Sequence, residues 1–322
     1  MTSTMKAIAA PSYGPLEQLA LIDAPLPNPG SGEVRVRVVA SALNPADYKV
    51  VLGTMKFLHA RNRPLIVGYD FSGTIDAVGP SVTGFSVGDD VFGFLPYGPG
   101  NARGAFAEAL VARVDEIALK PAGVSHELAA ASATTGVTAL QSIRDLGRLP
   151  ASGARVLVTG VSGGVGSIAV GVARKLGATV TAVGSGKGLE LAKRLGATEV
   201  LDRTARALPG DISAQFDVIF DCSAAYRWRQ WRGTLKSGGA FVSTLPSLDF
   251  AVDKLASLFA STRVHFVNVK SRPADLKLLA TWLEQGLEVP LAATIPVREI
   301  AQGLAQLQKA GGRIAVRVAD GF

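Results

Sequence analysis

The stretch that most constrains this chain runs from Arg155 to Gly184: "RVLVTGVSGGVGSIAVGVARKLGATVTAVG". A short β-branched run (155–160) meets four glycines within seven residues, Gly160, Gly163, Gly164 and Gly166. Helical spacing follows over 165–177 and stops at Gly177, and a second β run fills 179–184. Two strands joined through a helix in so few residues must lie parallel, because a parallel pair needs a crossover. The rhythm repeats downstream in "GLELAKRLG" (188–196), "EVLD" (199–202), "FDVIFDC" (216–222), "GAFVSTL" (239–245) and "VHFVNVK" (264–270). Residues 122–270 therefore read as an α/β domain built on a doubly wound parallel sheet.

The flanks read differently. Residues 1–121 hold short apolar runs broken by Gly, Pro and Asp, such as "EVRVRVVASAL" (33–43), "GYDFSGTIDAVG" (68–79) and "VGDDVFGFL" (87–95). They predict a β-rich, barrel-like domain. The tail predicts helices over 274–286 and 298–312 and a strand over 313–318, and residues 271–322 are assigned to the first domain. At 48% hydrophobic and 18% charged residues, the chain buries a large core and is not disordered. Its single cysteine, Cys222, excludes an intrachain disulfide and a Cys-rich zinc site. That fits a reducing, cytoplasmic setting. The N-terminal residues lack a signal-peptide core, and the uncharged stretch 128–143 is too short and polar to span a bilayer. The net charge of +7 is scattered, apart from "YRWRQWR" (226–232). Interleaved arginines and aromatics can stack on RNA, but the spacing of Trp228 and Trp231 places both on one face of a helix start, which makes nucleic acid the lesser reading.

A glycine turn between strand and helix lets backbone N–H groups reach a pyrophosphate at the helix N-terminus. Here Gly163 and Gly166 occupy the second and third places of the fingerprint, Val161 stands in the first, and Ser162, Gly164 and Val165 complete the turn. At the end of the next strand, where an acid would bind the ribose hydroxyls of NAD, the chain has "VGSGKG" (183–188). Ser185 and Lys187 suit a 2′-phosphate, so the expected cofactor is NADPH.

These motifs, with "ASALNPADYKVVLG" before them and "AKRLGATEVLD" after, resemble the zinc-independent medium-chain dehydrogenase/reductases, in the quinone oxidoreductase and alkenal/enone oxidoreductase branch. The resemblance implies a GroES-like catalytic domain, a Rossmann domain and a homodimer joined through the Rossmann sheet edge. Short-chain dehydrogenases share the glycine loop but need a Tyr-x-x-x-Lys pair, and none of the five tyrosines has Lys four residues on. Zinc-dependent relatives carry a catalytic Cys, a Gly-His-Glu motif and a four-Cys loop. Here those places read "NPADY" and "GYD", the four-Cys loop is missing, and His59, His126 and His265 are unclustered.

Without a metal to polarise an alcohol, the chemistry implied is hydride transfer from NADPH to a quinone or to the C=C bond of an enone or alkenal. The alternatives are a stand-alone enoyl reductase of a fatty-acid or polyketide pathway, and an NADPH-binding protein that interacts with RNA. The resemblance carries roles onto Asn44, which would orient the nicotinamide ribose or the substrate, and onto Tyr48 and Lys49 as donors to the substrate oxygen. Many quinone reductases have Tyr where this chain has Lys49, with water as the other proton source. Thr138 and Leu245 are expected near the nicotinamide, Ser223 at the sheet's carboxyl edge, and Arg313 at a cofactor phosphate. Asp70 and Glu108 read as structural. The segments 51–64 and 247–259 suggest a moderately hydrophobic substrate.

Overall fold

The computed structural model describes residues 3–205, 207–210, 212–213, 215–245 and 248–322. Of the 247–259 segment, Ser247 lies outside the described residues. No described helix is long and apolar enough to cross a membrane. The chain divides into two compact units, Met1–Thr134 with Lys270–Phe322, and Thr135–Val269.

The first unit opens with β1 (Thr4–Ala10), β2 (Ala20–Pro25) and β3 (Glu33–Ala42). Then come α1 (Pro45–Val51), β4 (Leu65–Ile66), β5 (Asp70–Val78), β6 (Asp90–Phe94), β7 (Ala109–Arg113) and β8 (Ile117–Leu119). Helix α2 (His126–Leu140) ends in a π turn over Gln141–Leu146, and the unit division falls inside it. In β3 the alternation puts Val34, Val36 and Val38 in the core, while Arg35 faces out to Asp76 at 2.8 Å.

The second unit contains β9 (Arg155–Thr159), α3 (Gly164–Lys175), β10 (Thr179–Gly184), α4 (Lys187–Arg194), β11 (Glu199–Asp202) and β12 (Phe216–Asp221). It continues with α5 (Trp228–Trp231), β13 (Leu235–Ser243), α6 (Leu248–Ser257) and β14 (Arg263–Phe266). Its six strands are all parallel, in the order β11-β10-β9-β12-β13-β14. The order reverses between β9 and β12, which makes their carboxyl ends the place where a ligand is expected. The sequence extended the last strand to Lys270, but β14 stops at Phe266. Its partner β13 ends at Ser243, whose carbonyl accepts a last bond from Val267 N–H at 3.0 Å, so the ladder goes no further.

The chain then returns to the first unit with α7 (Pro273–Glu284), β15 (Leu291–Pro296), α8 (Ile300–Gln306) and β16 (Arg313–Arg317). β16 pairs antiparallel with β3 inside a sheet ordered β15-β16-β3-β5-β6-β8, with β7 also on β3; a smaller sheet runs β2-β1-β4. The helix expected over 298–312 is α8 flanked by 3-10 turns.

Candidate functional site

In the second unit, the glycine stretch forms the tight link from β9 to α3. Gly160 takes φ +65°, a left-handed conformation that favours glycine. It accepts from Gly163 N–H at 2.9 Å. The turn therefore gets its special residue at Gly160, and Val161 is free to be a buried side chain packed at Gly184. A Cβ on Gly166 would overlap the Gly160 carbonyl oxygen, so only glycine lets α3 come this close to the strand. Gly163 caps α3, and the helix ladder starts with Ser167 N–H donating to Gly163 O at 3.0 Å. The first-turn N–H groups of Gly164, Val165 and Gly166 are thus left without helical acceptors. Ser162 and Gly163 are exposed. A pyrophosphate fits this cradle, because amide donors, an open approach and the positive helix end coincide.

The start of α4 lies against the same loop: a Cβ on Gly188 would sit 2.8 Å from Ser162 Cβ. The structure thereby brings Ser185, half-buried, and Lys187, exposed, to the glycine turn. No hydrogen bond or ion pair engages either side chain among the described residues. Arg203, which the sequence reading missed, donates its backbone N–H to Gly184 O at 3.0 Å and carries a second exposed cation beside this edge. The signal was a basic residue directly after the third strand. The neighbouring Asp202 carboxylate accepts from Thr204 N at 2.8 Å and Thr204 Oγ1 at 2.6 Å.

Asp221, also missed, ties the two strand ends together. Its buried Oδ1 accepts from Thr159 Oγ1 at 2.5 Å and Ser223 Oγ at 2.6 Å, and its Oδ2 accepts from Tyr226 N at 3.0 Å. The Ser223 hydroxyl proton is spent on this contact, so towards a ligand Ser223 is an acceptor. Leu245 lies just past β13, exposed, with its N–H and carbonyl near Ser243 Oγ at 3.4 Å. Thr138 is buried on α2, and its hydroxyl makes no bond to the preceding turn, whereas Ser132 donates to Ala129 O at 2.8 Å. Cys222 is held as a thiol, because burial and then Asp221 push its pKa well up.

The basic–aromatic segment is folded into this unit. Trp228 and Trp231 are buried, Arg227 and Arg229 pair with Asp249 and Asp253, and Arg232 lies 5.7 Å over the Trp228 ring. Neither indole is free to stack on a base.

In the first unit, Arg313, expected at a cofactor phosphate, is turned inward. Its side chain is 3% exposed and spends its donors on internal acceptors. Nε donates to Ala131 O at 2.9 Å, Nη1 to Leu43 O at 2.7 Å and Asn44 Oδ1 at 3.1 Å, and Nη2 to Asp70 Oδ2 at 2.6 Å. The cause is Asp70: a buried carboxylate at the start of β5 requires a counter-charge, and β16 supplies it across the sheet. Asn44 Nδ2 and Thr134 N also donate to Asp70, at 2.9 and 2.8 Å. Three donors converge on this carboxyl, the pattern of a carboxylate held by its neighbours. Burial pushes its pKa up, while Arg313, Thr134 and Asn44 pull it back. The Asn44 amide is therefore engaged on both sides, by Asp70 and by Arg313.

Asn44 also starts α1, its N–H donating to Asp47 Oδ2 at 2.7 Å in a capping box. Asp47 is fully buried and its Oδ1 has no partner. Burial pushes its pKa up to about 8, against the pull of the Asn44 N–H and with the Asp70 charge adding to the rise. The next residues, Tyr48 and Lys49, are both half-buried. The Tyr48 ring packs on the apolar core, and the Lys49 ammonium makes no hydrogen bond or ion pair among the described residues.

The residues at the zinc-ligand places do not fit a zinc ion. Tyr69 donates its hydroxyl proton to Leu58 O at 2.8 Å, and burial raises its pKa, so it is not a phenolate ligand. Its ring stacks on Tyr97 at 4.1 Å between centroids. Among the described residues, no group of three or more His, Cys, Asp or Glu is arranged to hold a metal.

Two family models match: the alcohol dehydrogenase GroES-like domain over residues 30–122, and the zinc-binding dehydrogenase model over 164–245. The chain is 33% identical over 250 residues to the chloroplast envelope quinone oxidoreductase homolog of Arabidopsis thaliana, covering 75% of each protein. It is 32% identical over 285 residues to 2-methylene-furan-3-one reductase of Solanum lycopersicum, covering 84% of this chain and 71% of that protein. Among solved structures, the quinone oxidoreductase from Coxiella burnetii superimposes with a TM-score of 0.87 at 26% identity, over 98% of this chain and 100% of that one. Parallel sheet, glycine turn and β-rich first unit thus converge on one conclusion: the chain is an oxidoreductase of the medium-chain dehydrogenase/reductase superfamily, in its quinone oxidoreductase branch.

Proposed function

We propose that this protein is a zinc-independent, NADPH-dependent reductase of quinones or of the C=C bond of α,β-unsaturated carbonyls. The observation that carries the cofactor choice is the turn after β10. Gly188 in this turn packs on Ser162 of the glycine loop, Ser185 and the unpaired Lys187 flank it, and Arg203 follows the adjoining strand end. A 2′-phosphate meets two cations and a hydroxyl there, whereas a carboxylate that would reject it is missing from the end of β10. The names of the quinone oxidoreductase and furanone reductase relatives support the substrate class.

When bound, NADPH supplies hydride. In this reading the amides of Gly163, Gly164 and Val165, with Ser162, hold the pyrophosphate. Ser223, Thr138 and Leu245 bound the nicotinamide end. Tyr48 and Lys49 donate hydrogen bonds to the substrate oxygen as negative charge builds on it, and Lys49 has the freer polar head of the two. Asn44 keeps the first turn of α1 in place by holding Asp70 and Arg313.

The protein is further proposed to be a homodimer. The outer edge of β14 has no neighbouring strand among the described residues, and beside it α6 and the following turn expose Val252, Leu255, Leu258 and Phe259. The test of the catalytic reading is a steady-state screen of NADPH oxidation with quinones, alkenals, cyclic enones and enoyl thioesters. Turnover of a quinone or free enone supports it. Turnover of enoyl thioesters alone replaces it with the enoyl reductase reading.

A further inference from the structure

Two buried carboxyls of the first unit share one buried cation. Asp47 and Asp70 have no exposed surface, and Asn44 bridges them: its N–H donates to Asp47 Oδ2 and its Nδ2 to Asp70 Oδ2. Arg313 directs its donors to Asp70, Asn44 Oδ1 and two carbonyls, and none to Asp47. The groups around Asp47 bring no second positive charge. Tyr69 and Tyr97 stay neutral phenols, held so by burial first and then by these carboxyls. His59, 3.5 Å from the Tyr69 hydroxyl, stays neutral because burial and Arg63 lower its pKa to about 4. Arg63 itself is exposed and stacks on the Tyr13 phenol ring. Helix α8, packed on α1, has no titratable side chain. Lys49 on α1 and Lys56 on the turn after it form no ion pair among the described residues.

One guanidinium balances one carboxylate. The pair of carboxyls is neutral overall only when it holds a single proton, and an uncompensated buried charge is strongly unfavourable. The hydrogen bonds say which carboxyl holds it. Both oxygens of Asp70 face donors, Oδ1 the Thr134 N–H and Oδ2 Arg313 and Asn44, so Asp70 is the carboxylate. Asp47 Oδ1 is buried without a hydrogen-bond partner, which leaves that oxygen free to carry the proton. The pKa of about 8 to which burial raises Asp47 agrees with this assignment.

We propose that Asp47 is a positioning residue for the reduction: its proton keeps the first turn of α1 seated, and losing that proton displaces Tyr48 and Lys49, the next two residues of the helix. This rests on the reading of Tyr48 and Lys49 as donors to the substrate oxygen. Once the proton leaves, two carboxylates repel each other beside a single cation, and the Asp47 carboxylate gains by moving towards water. The turn that it caps moves with it.

The test uses the full-length chain and three titrations. Infrared difference spectra of the cofactor-free protein separate a protonated carboxyl from a carboxylate. They should show one carboxyl with a midpoint near pH 8 that disappears in Asp47→Asn. Carbon NMR of ring-labelled tyrosines, with Tyr48 assigned through Tyr48→Phe, should show the Tyr48 signal moving with the same midpoint, and no such step in Asp47→Asn. With a quinone or enone that the protein reduces, kcat should fall about tenfold from pH 7 to pH 9, and the ratio of the two rates should return to near one in Asp47→Asn. If no acceptor is reduced at any pH, the reductase reading fails, while the infrared and NMR titrations still decide whether Asp47 holds the proton and moves Tyr48. If Asp47→Asn does not fold, the parent decides: coincident carboxyl and Tyr48 midpoints support the proposal, and separate ones overturn it. It is also overturned if no carboxyl titrates above neutral pH, or if the alkaline fall in kcat persists unchanged in Asp47→Asn.

Discussion

Replacing Arg313 by Met tests whether this residue holds the first unit together or touches the cofactor. The change removes a guanidinium that donates to three neutral oxygens and to Asp70 Oδ2 at 2.6 Å. Asn44 Nδ2 and Thr134 N still donate to Asp70, but with the guanidinium gone burial pushes its pKa further up. Breaking a buried pair from one side costs about 3–5 kcal/mol. For a unit of this size each kcal/mol moves the melting temperature by about 2–4 °C, so a loss near 4 kcal/mol lowers it by about 8–16 °C. Calorimetry reads the shift, and a fluorescence titration with NADPH at 15 °C reads the cofactor. The expected result is a large melting shift with a dissociation constant within about twofold of the parent. A variant that melts within about 2 °C of the parent but binds NADPH tenfold more weakly would refute the reasoning and return Arg313 to the cofactor.

Other consequences follow from the same geometry. The Asp47 carboxyl has a folded pKa of about 8 against 3.8 for a freely solvated aspartate, so the folded protein binds a proton that the unfolded chain has lost. Its contribution to stability is whole below about pH 4, falls by up to about 1.4 kcal/mol per pH unit towards pH 8, and is then lost. Asp47→Asn should flatten that slope in urea unfolding at pH 5 and pH 7.5, and a constant offset at both would contradict it. Lys187→Ala should raise KM for NADPH about tenfold, one charge-assisted contact, with little change for NADH; an equal rise for both would remove Lys187 from the phosphate site. Gly166→Ala should force α3 from the Gly160 carbonyl, lower stability by about 1–3 kcal/mol and weaken cofactor binding, read by thermal melting and titration.

The parallel sheet was legible because its signals are local. Its first two strands are short β-branched runs, and the helices after them stop at glycines, Gly177 and Gly196. The glycine turn was legible too, although its left-handed residue is Gly160, one place before the fingerprint position that Val161 fills. What the sequence hid depends on distant pairing. Arg313 lies 243 residues from Asp70, and nothing in "GGRIAV" says that β16 will deliver it to a buried carboxylate. The pull of Asp221 on Ser223 and Thr159 is equally invisible, since an Asp at a strand end reads as a turn residue. Arg203 escaped because the phosphate argument stopped at the second strand.

The most direct test of the central claim is the ratio of kcat/KM for NADPH to that for NADH, measured on the full chain with one quinone or enone that it reduces. The account predicts a ratio of at least tenfold that collapses towards unity in Lys187→Ala. A parent ratio at or below one, or no reduction of any quinone or enone, would contradict it.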